Sequence, residues 1–250
     1  MARAFVADGV TTVACTPHIL PGLYHNTGPA ILDAVAQLQF ALTLAGVPLQ
    51  LVAGADVHLM PNLAAGLRSG QVLSLNSSRY VLVEPPHHVM PLRIEDAFFD
   101  LVSAGYVPIL THPERLTWIA DNYATVVKLA RCGALMQLTA GSLTGDFGKS
   151  ARYWGERLID DGLAHIVATD SHDCVRRPPI LGRARDYLVK RVGEQEADNL
   201  VRVRPTGILQ NVATSELLLP KSVAVGSRSR VADRNGDRAG LSGRLRRIFG

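Results

Sequence analysis

Six imidazole and carboxylate side chains recur along this 250-residue chain: His18, Asp56, Glu84, His112, Asp170 and His172. Neutral imidazole together with carboxylate suits divalent ions such as manganese, iron, zinc or magnesium, and an acid can bridge two ions where one imidazole nitrogen cannot. Three His with three acids therefore point to more than one ion. Such a site activates water near neutral pH and clamps the oxygens of an ester undergoing displacement, so the expected chemistry is hydrolysis. The sharpest element is Thr169-Asp-Ser-His172, whose i, i+2 pair closes an apolar run and sends both side chains to one side. Thr111-His-Pro-Glu-Arg115 sets a guanidinium beside an imidazole, where Arg115 could hold a phosphate oxygen pair or, more plainly, an ion pair with Glu114. Glu84 ends Tyr80-Val-Leu-Val, a place where a carboxylate is costly unless paired or metal-bound. Asp56 is the softest of the six, since a helix N-cap would account for it equally.

The remaining histidines and other motifs receive plainer readings. His58 and His165 lie in apolar strand-like contexts and belong to the core or behind the ligands, while His25, His87 and His88 are loop residues, any of which could line the substrate mouth. Ala140-Gly-Ser-Leu-Thr-Gly-Asp-Phe-Gly-Lys has the composition of a phosphate-cradling loop but lacks the Gly-Lys-Ser/Thr ending of a nucleotide site, and is expected to be a substrate-side loop. A cysteine phosphatase needs Arg six positions after its Cys. Those positions here are Pro21, Leu138 and Ile180, which excludes that mechanism. No Gly-x-Ser-x-Gly elbow supports a serine hydrolase.

Strand-length apolar runs at Val10–Cys15, Leu49–Gly54, Tyr80–Glu84, Val107–Thr111, Ala134–Thr139 and His165–Thr169 alternate with helical spacing at Ala30–Ala45, Ile94–Ala104, Tyr123–Cys132, Ala151–Asp161 and Pro179–Arg191. Several of these runs are apolar throughout, as expected of parallel strands covered on both faces. The six candidate ligands all fall at or just after strand C-termini. In a parallel α/β barrel those ends converge on one mouth, whereas an open sheet gathers its ligand at a single switch point. A barrel is therefore the expected architecture.

Hydrophobic residues at 47% and charged residues at 19% exclude a disordered chain. No apolar run approaches the roughly 18 residues of a membrane span, and the start lacks a secretory signal, so the expected location is the cytoplasm. Three widely spaced cysteines make no disulfide framework. The net charge of +4 belongs to residues 221–250, where eight Lys or Arg stand against two Asp; the first 220 residues carry 18 basic and 20 acidic side chains. The basic balance is thus no argument for nucleic-acid binding by the folded part. The expected division is a catalytic domain over residues 1–212, closed by a short helix in Pro205–Val212, and a basic, disordered tail over 221–250 with a weak terminal helix at Leu241–Phe249.

Thr16-Pro-His-Ile-Leu-Pro-Gly-Leu-Tyr, Gly54-Ala-Asp-Val, Val83-Glu-Pro-Pro, Thr111-His-Pro-Glu-Arg, Gln137-Leu-Thr-Ala-Gly-Ser-Leu-Thr-Gly-Asp-Phe-Gly, Ala168-Thr-Asp-Ser-His-Asp and Arg177-Pro-Pro together resemble the bacterial metal-dependent protein-tyrosine phosphatases of the polymerase-and-histidinol-phosphatase (PHP) superfamily, the capsule and exopolysaccharide type. The resemblance covers about Met1 to Arg204, in family order. It implies a distorted seven-stranded (β/α)7 barrel and a trinuclear site of manganese or iron type, held by His18, Asp56, Glu84, His112, Asp170 and His172. It also implies catalytic roles for His112, Asp170 and the phosphate-binding Arg115. The implied substrate and partner is the phosphotyrosine-bearing tail of a polysaccharide-assembly tyrosine kinase.

The family pattern opens with a strand bearing Asp-x-His-x-His, and this sequence begins in what the pattern makes the first helix. The expectation is a shortened chain lacking two ligands and one barrel strand, with reduced activity and an exposed edge at Val10–Cys15. Two other functions share these residues: a small-molecule phosphoesterase resembling histidinol phosphatase, and a catalytically impaired phosphotyrosine-binding regulator.

Overall fold

A computed structural model describes residues 1–220. The strands are β1 (Thr12–Cys15), β2 (His18–Leu20), β3 (Tyr24–His25), β4 (Gln50–Ala53), β5 (Asp56–His58), β6 (Tyr80–Glu84), β7 (Val107–Thr111), β8 (Leu135–Thr139) and β9 (Ile166–Ala168). Before, between and after them lie α1 (Ala2–Ala7), α2 (Gly28–Leu44), α3 (Leu63–Arg68), α4 (Ile94–Ser103), α5 (Ile119–Arg131), α6 (Ala140–Thr144), α7 (Gly148–Asp160), α8 (Gly182–Val192), α9 (Glu194–Asp198) and α10 (Arg204–Leu209). Every strand run and long helix expected from the periodicity is present, with ends shifted by a few residues. The exceptions are instructive. Ala140–Lys149 is not a loop: α6 starts at its first residue, and the tight turn at Gly145 leads directly into α7. His18 and Asp56 do not trail their strands but open two further short ones, β2 and β5. The tail at 221–250, with its weak helix, lies outside the described residues.

Seven strands form one sheet in the order β3-β2-β5-β6-β7-β8-β9, parallel except for the β2–β3 hairpin, and β1 pairs with β4 in a separate parallel ribbon. The two sheets are continuous in register. Thr12 faces Gln50, Cys15 faces Ala53, and His18 faces Asp56 at the same offset. Backbone N–H groups of Gly54 and Asp56 donate to Cys15 O and Pro17 O across the join. Pro17, which has no N–H, and Gly54-Ala55 mark a shared bend that carries each chain segment from the ribbon into the sheet.

Strand parity then sorts the side chains. Ile19, Val57, Val81, Val83, Leu110, Met136 and Val167 lie on one face of the sheet and join Phe98, Leu101, Ile119, Val126, Leu129 and Leu158 of the packed helices in the largest core cluster. The alternate residues Tyr80, Leu82, Ile109, Leu135 and Ile166 face the other way, and Ile208 and Leu217 close this second cluster. Following that second face toward the strand C-termini, Leu82 gives way to Glu84 and Ile109 to Thr111, while His58 pairs in register with Glu84, Asp56 with Leu82 and His18 with Asp56. One apolar face thus ends in a cluster of ionisable groups.

Candidate metal and phosphate site

Glu84, only 4% exposed, is the hub of that cluster. His18 Nδ1 lies 3.0 Å and His58 Nε2 2.7 Å from its Oε2, while His87 Nε2 and His112 Nε2 each lie 3.2 Å from its Oε1. The His87 contact is a hydrogen bond, but Glu84 Oε2 and His18 Nδ1, despite their closeness, are buried without a hydrogen-bond partner. Donor atoms held this close and left without hydrogen-bond partners are what a cation would satisfy. Two donor sets result, His18/His58/Glu84 and Glu84/His87/His112, each with ligand atoms within 4.8 Å of one another. Glu84 belongs to both sets.

Local structure explains how these groups are held. His58 follows Asp56 by two residues in β5 and so shares its face. His87 is brought back under Glu84 by Pro85-Pro86: the Trp118 indole N–H donates to Pro86 O at 3.0 Å, and the Thr117 backbone N–H and hydroxyl donate to His87 O at 3.0 and 3.1 Å. His112 sits in the left-handed region at φ 36°, as does Asp170 at φ 49°. A strained backbone at two candidate ligands is the kind of feature that persists where function requires a particular side-chain direction.

The electrostatics suit a cation. Burial raises the Glu84 carboxyl, but the four imidazoles together override it and hold Glu84 far below the usual carboxylate range. Burial, reinforced by the Glu84 charge, pushes Asp56 up to about 8, with Asp56 Oδ2 3.9 Å from His18 Nδ1 and Oδ1 without a partner. Burial lowers the His112 pKa, which keeps the imidazole neutral and able to ligate. The mixed imidazole and carboxylate donors, several of them orphaned, fit a divalent metal.

Asp170 and His172 stand beside this cluster in a different setting. Asp170 Oδ2 accepts from Arg115 Nη1 at 2.6 Å and from Arg177 Nη2, and Arg177 Nη1 donates to His172 Nε2 at 3.1 Å. The His172 ring lies 6.0 Å from that of His18, so groups from β2 and from beyond β9 meet although their strands are far apart in the sheet order. Arg115 therefore pairs with Asp170 and not with Glu114. Glu114 turns inward, where its Oε1 accepts from the Thr139 N–H at 2.9 Å and the Ser142 hydroxyl at 2.8 Å. Arg177 is fixed by the preceding loop, in which Asp173 Oδ1 accepts backbone N–H groups of Val175 and Arg176 at 2.7 and 2.6 Å.

All six sequence-derived ligand candidates and Arg115 gather at one end of the sheet, with His18, Glu84 and His112 in direct contact and Asp56 adjoining. The sequence reading missed His58, His87 and Arg177. Period-two parity from Asp56 was the available signal for His58. His87 offered none, because its position depends on the turn after Glu84. His165, expected in the core, is there: it is buried and its Nδ1 accepts from the Met136 N–H at 3.0 Å.

Known proteins match both the sequence and the fold. The chain is 37% identical over 195 residues to tyrosine-protein phosphatase YwqE of Bacillus subtilis (strain 168), covering 78% of this chain and 77% of that one. It is 24% identical over 209 residues to tyrosine-protein phosphatase CpsB of Streptococcus pneumoniae, covering 82% of this chain and 86% of that one. A solved structure from work on YwqE and CpsB, described as unique metal-dependent tyrosine phosphatases, superposes with a TM-score of 0.80 at 34% identity, covering 84% of this chain and 85% of that one. Residues 1–210 match the family described as capsular polysaccharide synthesis, CpsB/CapC. With that match spanning most of its length, the chain belongs to the CpsB/CapC family.

Proposed function

We propose that this protein is a metal-dependent protein-tyrosine phosphatase acting on the phosphotyrosine tail of a kinase of capsule or exopolysaccharide assembly. The observation that carries the reading is the junction of two chemistries: four imidazoles on the Glu84 carboxylate, and two guanidiniums on that of Asp170. His18, His58 and Glu84 would hold one ion and Glu84, His87 and His112 a second, with Asp56, Asp170 and His172 completing the set. When bound, divalent ions supply a nucleophilic water at neutral pH and neutralise phosphate charge. Manganese is the first ion to test, because mixed imidazole and carboxylate donors suit it.

The protein's own groups do the rest. Arg115 and Arg177 would grip the phosphate oxygens, replacing their contact with Asp170 and leaving that carboxylate available as a further metal donor. Their planar, fixed charge stabilises the transition state more than the ground state. The leaving phenolate has a pKa near 10 and needs little protonation. Its thiols have no part in the reaction. We further propose that residues 1–212 are the catalytic unit, that the sheet curls into a distorted barrel of PHP type, and that the protein works in the cytoplasm. The meeting of His18 with His172, and the apolar face enclosed by Ile208 and Leu217, support the curled arrangement. No helix among the described residues is long and apolar enough to cross a membrane.

The test is phosphate release from a phosphotyrosine peptide by the purified chain, with and without manganese, and with all three cysteines replaced by serine. Release that needs the metal and survives the replacement is expected. Release that resists chelation but is lost with the cysteines overturns the mechanism.

A further inference from the structure

We propose that Phe147 is a positioning residue of the phosphate site: its ring is the platform on which the Arg115 and Arg177 guanidiniums are held side by side. The inference rests on the phosphatase reading above and extends it to the Gly141–Gly148 segment, which that reading leaves without a role. The Arg115 guanidinium carbon lies 4.4 Å and that of Arg177 5.7 Å from the centre of this one ring. Both arginines also share a single oxygen of Asp170. Two cations brought together repel, and Arg side chains have many rotamers to lose. The negative face of an aromatic ring attracts both without competing for the N–H groups that must reach phosphate. A carboxylate between the arginines can be displaced by a dianion, whereas the ring below them stays.

The turn that presents Phe147 is built for a fixed ring. Gly145 and Gly148 adopt φ of +94° and +84°, conformations that side chains resist. The Asp146 N–H donates to Gly141 O at 2.8 Å, and the Thr144 hydroxyl donates to Asp146 Oδ2 at 2.9 Å. Gly141 is the floor: a Cβ there would stand 2.9 Å from Phe147 Cε2. The absence of a side chain at Gly141 lets the ring settle beneath the guanidiniums. The segment thus contributes to anion binding through a π face, not through a backbone cradle.

The experiment compares Phe147→Leu, which keeps apolar bulk, Phe147→Tyr, which keeps the π face, and Gly141→Ala, which crowds the ring. Binding of inorganic phosphate to the manganese-loaded full chain is measured by calorimetry, alongside kcat, KM, metal per chain and Tm. Phe147→Leu should weaken phosphate binding by about five- to thirtyfold and lower kcat/KM by at least as much, with metal content and Tm unchanged. Phe147→Tyr should restore parental binding, and Gly141→Ala should weaken it in the same direction as Leu. Unchanged phosphate affinity in the Leu and Ala variants overturns the proposal. So does a Tyr variant as impaired as Leu, or a Leu variant that loses Tm and metal together, since each makes the ring simple packing. A parental chain that binds phosphate but leaves the phosphotyrosine peptide intact overturns the phosphatase reading, and the variant series still decides the platform.

Discussion

At Arg115 and His112, three residues apart, the same turn delivers two different kinds of group. Arg115 cannot ligate a cation, so Arg115→Ala is expected to keep its metal while losing about two to three orders of magnitude in turnover, the usual cost of removing a transition-state donor. His112 is 3% exposed and neutral by burial, so His112→Ala should lose metal along with activity. His58→Ala and His87→Ala should behave like His112→Ala, because each imidazole supplies one of three donors in its set. Metal content by elemental analysis, paired with phosphate release, separates these outcomes. Full metal in either variant would remove that histidine from the site.

Among the elements, the turn at Pro113–Arg115 must stay seated on the end of β8 for Arg115 to reach Asp170. Glu114 is the brace. It is 1% exposed, and its Oε1 ties the start of α6 through Thr139 and Ser142. Burial raises its carboxyl to about 7, against those hydrogen bonds, so near neutral pH the charge itself adds little and the accepting oxygen matters most. Glu114→Gln keeps an acceptor and should change stability little. Glu114→Ala strands a buried N–H and a buried hydroxyl and should cost on the order of 1–3 kcal/mol for each unsatisfied group, within the usual range for large effects. Urea unfolding of the two variants checks the difference; equal midpoints would show that Glu114 braces nothing.

The molecule as a whole is closed at the end opposite the site by residues late in the chain. Arg204, 1% exposed, donates to Glu196 Oε2 at 2.9 Å, to Leu218 O, and to His165 O at 3.4 Å, and Leu217 seals the inner apolar cluster. His165 in this closure has its pKa lowered to about 4, first by burial and then by the Arg204 charge. The unfolded chain takes up this proton near pH 6.5, the folded one only near 4, so stability is full above 6.5 and falls as pH drops through that window. The fall is on the order of 3 kcal/mol from this group alone. His165→Asn, which can still accept from the Met136 N–H, should flatten the decline between pH 6.5 and 4 when unfolding midpoints are compared. An unchanged slope would sink the assignment. Ending the chain at Lys221 should leave Tm and peptide hydrolysis unaltered, since Leu217 is, among the described residues, the last of the second apolar cluster; an insoluble or inactive product would contradict this.

How much of this was legible beforehand depends on the range of the interaction involved. Strand and helix order follows from local periodicity, and the placement of His18, Asp56, Glu84, His112, Asp170 and His172 at one end follows from their position along each strand. Both are properties of neighbours in sequence, and both are present in the fold. His58 was half-legible: its spacing from Asp56 fixed its face, but an apolar context concealed that the face carries the site. His87, the pairing of Arg115 with Asp170, and the stacking of two distant guanidiniums on Phe147 were not legible at all. Each depends on where separate loops meet after β6, β7, β8 and β9 are in register, and a hydrogen bond or ring contact between residues tens of positions apart leaves no local pattern. The available chemistry and the end of the sheet that bears it are written in the order of residues along each strand; which atoms meet is fixed by the fold, because contacts between distant loops form only once the strands are in register and the helices are packed.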